Sequence, residues 1–180
     1  MAFFDVPSDD QIPPDSAKLL EEYRLLTGTA EAPRTHRTYG RLPRIVETRV
    51  RGAVNLHDKC SFPKDVKMIA AMLIAHARRC QPCFGGSRRQ LALLGFDEDK
   101  MDGMCAHPDS LPMSEKNRAF VHFALKMATT PAADLTPKDF RELAAAGLSP
   151  EEVQEAIGFA VFWVMNTIFN SAALVALTDE

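Results

Sequence analysis

At 180 residues with 46% apolar side chains, the chain can bury a core without disulfides or a structural metal. A formal charge of −3 and a pI near 6.0 provide no basic stripe for nucleic acid. Four cysteines, Cys60, Cys80, Cys83 and Cys105, are too few and too unevenly spaced for a secreted disulfide scaffold, so a reducing cytoplasm is the expected compartment.

In chain order, Met1-Ala-Phe-Phe-Asp leads into acids and prolines and does not read as a signal peptide. The apolar spacing is helical nearly everywhere. Asp15 or Ser16 is placed to cap a first helix carrying Leu19, Leu20, Tyr23, Leu25 and Leu26, which Gly28 closes. A Pro, Thr and Arg-rich connection covers roughly residues 30 to 41. A second helix follows Pro43 with Ile45, Val46, Val50 and Val54 on one side. A third starts near Ser61, with Pro63 in its first turn, and Met68, Ile69, Met72, Leu73 and Ala77 drive it into the core.

Proline tolerates the first turn of a helix and breaks its interior, so Pro82 ends the third helix and starts a fourth, which Gly95 stops. Asp97 caps a short helix to Met104, and Ser114 opens one carrying Phe120, Val121, Ala124 and Leu125. Thr136-Pro137-Lys138-Asp139 and Ser149-Pro150-Glu151-Glu152 repeat one start signal: hydroxyl cap, proline, acid. The last helix, from Pro150 to about Leu177, is apolar almost all round. It is interrupted by Asn166, Thr167, Asn170 and Ser171, so it reads as a helix buried on all sides, often between subunits, rather than as a membrane span.

Cys80-Gln81-Pro82-Cys83 is the most chemically informative segment. Two cysteines two residues apart suit thiol–disulfide exchange, and a helix start, a cation or a histidine favours thiolate. Metal binding needs more ligands than these two, and Cys60 and Cys105 stand alone, with only His107 near the latter. An inert buried pair is the third reading. His76 precedes Cys80 by four residues, so a helix continuing to Cys80 would put both on one face. Arg78 and Arg79 flank the pair. The methionines Met68, Met72, Met101, Met104 and Met165 read as core filler, and Asn166 and Asn170 as interhelical hydrogen-bonding groups.

The order of these elements resembles the alkylhydroperoxidase D-like branch of the carboxymuconolactone decarboxylase superfamily over residues 16–177 of a single domain, 1–180. The resemblance rests on the helix ending in Gly28, Leu42-Pro43, MIAAMLIAHARRCQPC followed by Leu94-Gly95-Phe96, NRAFVHFALKMATTP, FRELAAAGLSPEEVQEAIGFAVFW and the Asn166…Asn170 pair. It implies an all-α bundle of about seven helices and a trimeric or hexameric homo-oligomer, in which a CxxC pair reduces peroxides or related oxidants and an external dithiol regenerates it. Two positions depart. The family's relay glutamate and histidine correspond here to Met68 and Ser87. Asp65 lies one turn from the glutamate's place and reads as a helix-start charge.

Cys80, Cys83 and His76 are therefore the candidate catalytic residues, with His76 standing in for the absent relay. No cofactor, metal, nucleic acid or membrane is expected. The alternatives are an acid–base enzyme on a small organic acid or lactone, using His76, Arg78 or His122, and a non-catalytic oligomeric relative.

Overall fold

The computed structural model describes residues 2–177 and is all-α, with no strand among them. The helices are α1 (Pro14–Thr27), α2 (Arg34–Arg37), α3 (Pro43–Gly52), α4 (Lys64–Ala77), α5 (Gln81–Leu93), α6 (Glu98–Ala106), α7 (Glu115–Thr129), α8 (Pro137–Ala145) and α9 (Pro150–Ala176). Their number exceeds the expected seven. One addition is α2, a single turn within the stretch read as a connection. After α3 the chain also continues as π-helical turns over Ala53–Asp58, a shape that apolar periodicity does not announce.

The caps follow the sequence signals with two corrections. Pro13, not Asp15 or Ser16, precedes α1, so those two residues lie inside its first turn. Pro63 likewise stands just before α4. Elsewhere Asp97 Oδ1 accepts from Lys100 N–H at 2.7 Å and Ser114 Oγ accepts from Asn117 N–H at 3.3 Å. The N–H groups of Thr136 and Ser149 each donate at 2.8 Å to the acid three residues on, Asp139 and Glu152.

The chain forms two compact units, Met1–Lys59 with Ile168–Glu180, and Cys60–Thr167. In the first, Ile12, Leu20, Val46 and Val50 make the core, with Tyr23, Tyr39 and Val54 against it. A Cβ on Gly40 would meet the Arg37 carbonyl oxygen at 2.8 Å, so only glycine fits there. Val46, Arg49 and Val50 share the buried side of α3, which takes an arginine into the interior.

In the second unit α4 is central, buried from Val66 through Ala75 and packed on α5 and α7, with α8 on α7. Phe62 stacks on Phe120 (3.9 Å between ring centres), which meets Phe159 edge-on (5.2 Å). Truncating Phe120, which is fully buried, would cost about 3–5 kcal/mol.

The last helix corrects the expectation of burial on all sides. Phe159, Phe162 and Trp163 lie inside, whereas Val161, Ile168 and Val175, seven residues apart, are 53%, 56% and 72% exposed. By length and composition α9 is apolar enough to cross a membrane, and 44% of its most apolar window is buried within the fold.

Candidate functional site

Cys80 and Cys83 are joined by a disulfide, with Cα atoms 5.3 Å apart, at the start of α5. Cys80 is the N-cap, Pro82 the second helical residue and Cys83 the third, as the proline spacing requires. Pro82 brings no N–H to this helix end, and the Phe84 N–H closes the first turn on the Cys80 carbonyl at 2.9 Å. Both cysteines are buried, at 1% and 5% exposure.

The turn delivering Cys80 has an unusual residue at its pivot. Cys80 N–H donates to Ala75 O at 2.9 Å and Arg79 N–H to His76 O at 3.0 Å, which is the double closure of a Schellman C-cap. The pivot is in the left-handed region at φ 55°, and here it is Arg79. Three other helices end the same way on Gly28, Gly95 and Gly147, at φ 65°, 87° and 88°. Among the described residues Arg79 is the one non-glycine with positive φ.

This turn overturns the route by which His76 was to reach Cys80. The helix ends at Ala77 and the chain reverses its twist at Arg79, so a four-residue spacing no longer puts the two side chains on one face. His76 is exposed, its ring centre 5.4 Å from that of Phe84. Arg78 is committed elsewhere: its Nε donates to Thr167 Oγ1 and its Nη1 to Ala128 O, both at 2.7 Å, tying the end of α4 to α9 and α7. Arg88, on Phe84 at 5.3 Å, is ion-paired with Glu98 and Asp102 of α6.

Met68 and Ser87, which the sequence resemblance aligns with the family's relay residues, are both buried. The Ser87 hydroxyl is 1% exposed as a residue and has no hydrogen-bond partner. Sequence reasoning noted Ser87 only as a missing histidine. The available signal was its place four residues after Cys83, on the same face of α5.

The remaining candidates lie apart from this chemistry. Cys60 is buried and Cys105 half-buried, both as free thiols, and burial pushes each thiol up from its ordinary value. His122 lines a cleft of about 290 Å³ between α7 and α8, where Nε2 donates to Pro108 O at 2.8 Å. Lys126 in that cleft is paired with Asp139 at 2.6 Å, which holds the Asp139 carboxyl down at about 2. Among the described residues no group of three or more His, Cys, Asp or Glu is arranged to hold a metal ion. Asn170, expected to bridge helices, does so: its Oδ1 accepts from Arg49 Nη2 at 2.5 Å.

No protein-family profile and no curated protein matches the chain. Solved structures do. The fold is shared with a peroxidase-related protein from Ralstonia eutropha described as an alkylhydroperoxidase AhpD core (TM-score 0.80, 17% identity, covering 99% of this chain and 92% of that one). It is also shared with a peroxidase-related protein from a Silicibacter species (TM-score 0.79, 17% identity, 97% and 90%). A third is the debrominase Bmp8, solved as a cysteine-to-alanine variant with 2,3,4-tribromopyrrole (TM-score 0.77, 17% identity, 99% and 92%). The chain thus has the all-α alkylhydroperoxidase D-like fold expected from its sequence.

Proposed function

We propose that the protein is a thiol–disulfide oxidoreductase in which Cys80 and Cys83 cycle between dithiol and disulfide to reduce a small oxidant. The observation that carries this is the buried disulfide at the start of α5, in a fold shared with peroxidase-related proteins. One thiolate attacks the distal oxygen of a hydroperoxide. The S–O bond forms as the O–O bond breaks, and the alcohol leaves with one proton. The second thiol then attacks the sulfenic sulfur, the S–S bond forms and water departs. An external dithiol restores the pair by exchange and leaves oxidised.

Met68 and Ser87 supply neither a carboxylate nor an imidazole, so proton shuttling is weaker than in a site with a charged relay, where a positioned base is worth about 10²–10⁴ in rate. The lack of charge at these two buried positions suits an apolar oxidant. A halogenated aromatic, the class bound by the debrominase of this fold, therefore stands as the second substrate class. The proposed setting is cytoplasmic. The proposed assembly is a homo-oligomer closed over the exposed Val161, Ile168 and Val175 stripe of α9.

The test is thiol alkylation and mass spectrometry after dithiol reduction, then after stoichiometric cumene hydroperoxide or 2,3,4-tribromopyrrole. The reading expects an 80–83 bridge to disappear and return, with one oxidant consumed per bridge. A pair that stays reduced under both oxidants, or never opens, overturns it. Light scattering should give a mass well above 19.9 kDa, lowered by Ile168→Glu.

A further inference from the structure

Serine and threonine inside a helix normally donate their hydroxyl back to the carbonyl three or four residues earlier. This chain follows that habit widely. Thr27 donates to Tyr23 O, Thr48 to Arg44 O, Thr129 to Leu125 O and Thr167 to Val164 O, all between 2.7 and 2.9 Å. Ser87 does not, although its backbone is helical and the Cys83 carbonyl is the acceptor in reach by that rule. A buried hydroxyl with no partner is costly and calls for a reason.

The reason lies one turn earlier. Cα–Cβ bonds in a helix tilt toward its N-terminus, so the Ser87 side chain leans over the turn that carries Cys83. While the disulfide is closed, the Cys83 sulfur is bonded to Cys80 and carries no charge, and the hydroxyl makes no hydrogen bond to it or to the Cys83 carbonyl. We propose that Ser87 is the positioning residue for the reduced enzyme: when the disulfide opens, its hydroxyl donates to the Cys83 sulfur and holds it as thiolate. This rests on the thiol–disulfide reading above and deepens it, because it names Cys83 as the low-pKa partner.

The charged groups on the neighbouring elements do not supply this role. On α4, Lys67 Nζ donates to Cys60 O at 2.9 Å, Asp65 lies in the first turn, and His76 is exposed against Phe84. On α5, Arg88 is paired with Glu98 and Asp102 of α6, and Arg89 is exposed. Arg78 is held by Thr167 and Ala128, and Arg79 is exposed at the left-handed turn. In the reduction step the external dithiol gives two electrons, the Cys80–Cys83 bond breaks and the reductant closes its own disulfide. Of the two protons released by the reductant, one remains on Cys80 and the other leaves to solvent.

The experiment uses single-cysteine backgrounds, Cys80→Ser and Cys83→Ser, each with Ser87 intact, Ser87→Ala or Ser87→Thr. The rate of iodoacetamide alkylation is followed against pH by peptide mass spectrometry, so that Cys60 and Cys105 are read separately. Ser87→Ala should raise the Cys83 thiol pKa by about one unit, Ser87→Thr should restore it, and the Cys80 thiol should not move. With both cysteines present, Ser87→Ala should make the pair about tenfold harder to reduce, which is a potential about 30 mV more negative. Ser16→Ala removes the other buried hydroxyl without a partner among the described residues, in α1, and should shift neither thiol. An unchanged Cys83 profile, or equal shifts of both thiols, overturns the role of Ser87. A pair that fails to cycle in the unaltered protein overturns the oxidoreductase reading instead, whatever the single-cysteine profiles show.

Discussion

Arg49 and the turn into α5 are both buried, polar and unusual, and they are handled in opposite ways. Around Arg49 the fold gathers partners: Nη1 donates to Thr35 O at 2.9 Å, Nη2 to Asn170 Oδ1 and to His36 Nδ1 at 3.4 Å, and the rings of Tyr39 and Phe169 each lie 5.2 Å from the guanidinium carbon. Burial lowers the guanidinium to about 10, so it stays charged at neutral pH. At the α5 turn the fold does less. Ser87 keeps a hydroxyl without a partner and Arg79 keeps a left-handed backbone. The buried charge of Arg49 is held by several partners on one side, whereas the α5 turn sets an unpartnered hydroxyl and a left-handed backbone beside atoms that must change state.

The largest effect that tests this contrast is chemical. Cys83→Ser or Cys80→Ser should each lower turnover with the accepted oxidant by on the order of 10³-fold or more, because either loss prevents closure of the disulfide. Stability should barely respond to the choice between the two serines. A variant retaining wild-type turnover would place the chemistry elsewhere and empty the contrast of its meaning.

The next effect belongs to the other side. Arg49→Ala should destabilise the protein by roughly 3 kcal/mol, since it opens a cavity and strips a donor from Thr35 O and Asn170 Oδ1. For a chain of this size that lowers Tm by about 6–12 °C. Below that melting range the alkylation rate of the reduced pair should be unchanged. If thiol reactivity falls instead, Arg49 serves the redox chemistry and the two regions are not separate in kind.

His36 sharpens the same point through pH. Burial and the neighbouring Arg49 charge hold its imidazole well below 6.5, and its Nδ1 accepts from Arg49, which requires the neutral ring. Unfolded His36 binds a proton near pH 6.5 where the folded residue does not, so this contribution is complete above that value and is lost as pH falls below it toward the folded pKa. Tm should therefore decline on acidification from pH 7. His36→Asn, which keeps an acceptor for Arg49, should flatten that decline; an equal decline in the variant would assign it to other groups.

Much of the fold was legible in the sequence because it was written in local chemistry. Thr136-Pro137 and Ser149-Pro150 set helix starts, Gly28 and Gly95 set helix ends, and Pro82 alone placed both cysteines at the head of α5. The site was only partly legible. Spacing placed His76 beside Cys80 on the premise of a continuous helix, and the left-handed Arg79 breaks that premise with no glycine to announce it. Arg49 was hidden for a related reason: arginines are normally exposed, and its burial depends on Asn170 from a helix more than a hundred residues away. The last helix, read as buried on all sides from its apolar composition, is only partly so: Phe159, Phe162 and Trp163 lie inside while Val161 and Ile168 face out.

The smallest effect concerns Arg79. A non-glycine residue in the left-handed region costs about 1 kcal/mol relative to glycine, and Gly28, Gly95 and Gly147 avoid that cost at equivalent turns in this chain. Arg79→Gly should accordingly raise stability by up to about 1 kcal/mol, or 2–4 °C in Tm, with the backbone of the turn unchanged. Glycine also widens the choices of the unfolded and partly opened chain, which works against that gain and loosens the hold on Cys80. The informative comparison is therefore between oxidised and reduced protein. With the disulfide closed, the turn is fixed from both sides and the relief of strain should dominate. With it open, Arg79→Gly should stabilise less, and oxidation of the pair should slow because Cys80 is less often presented to Cys83. Equal stabilisation in both redox states, with no change in the rate of closure, would show that Arg79 shapes only the end of α4 and that its strain is unrelated to the chemistry one residue later.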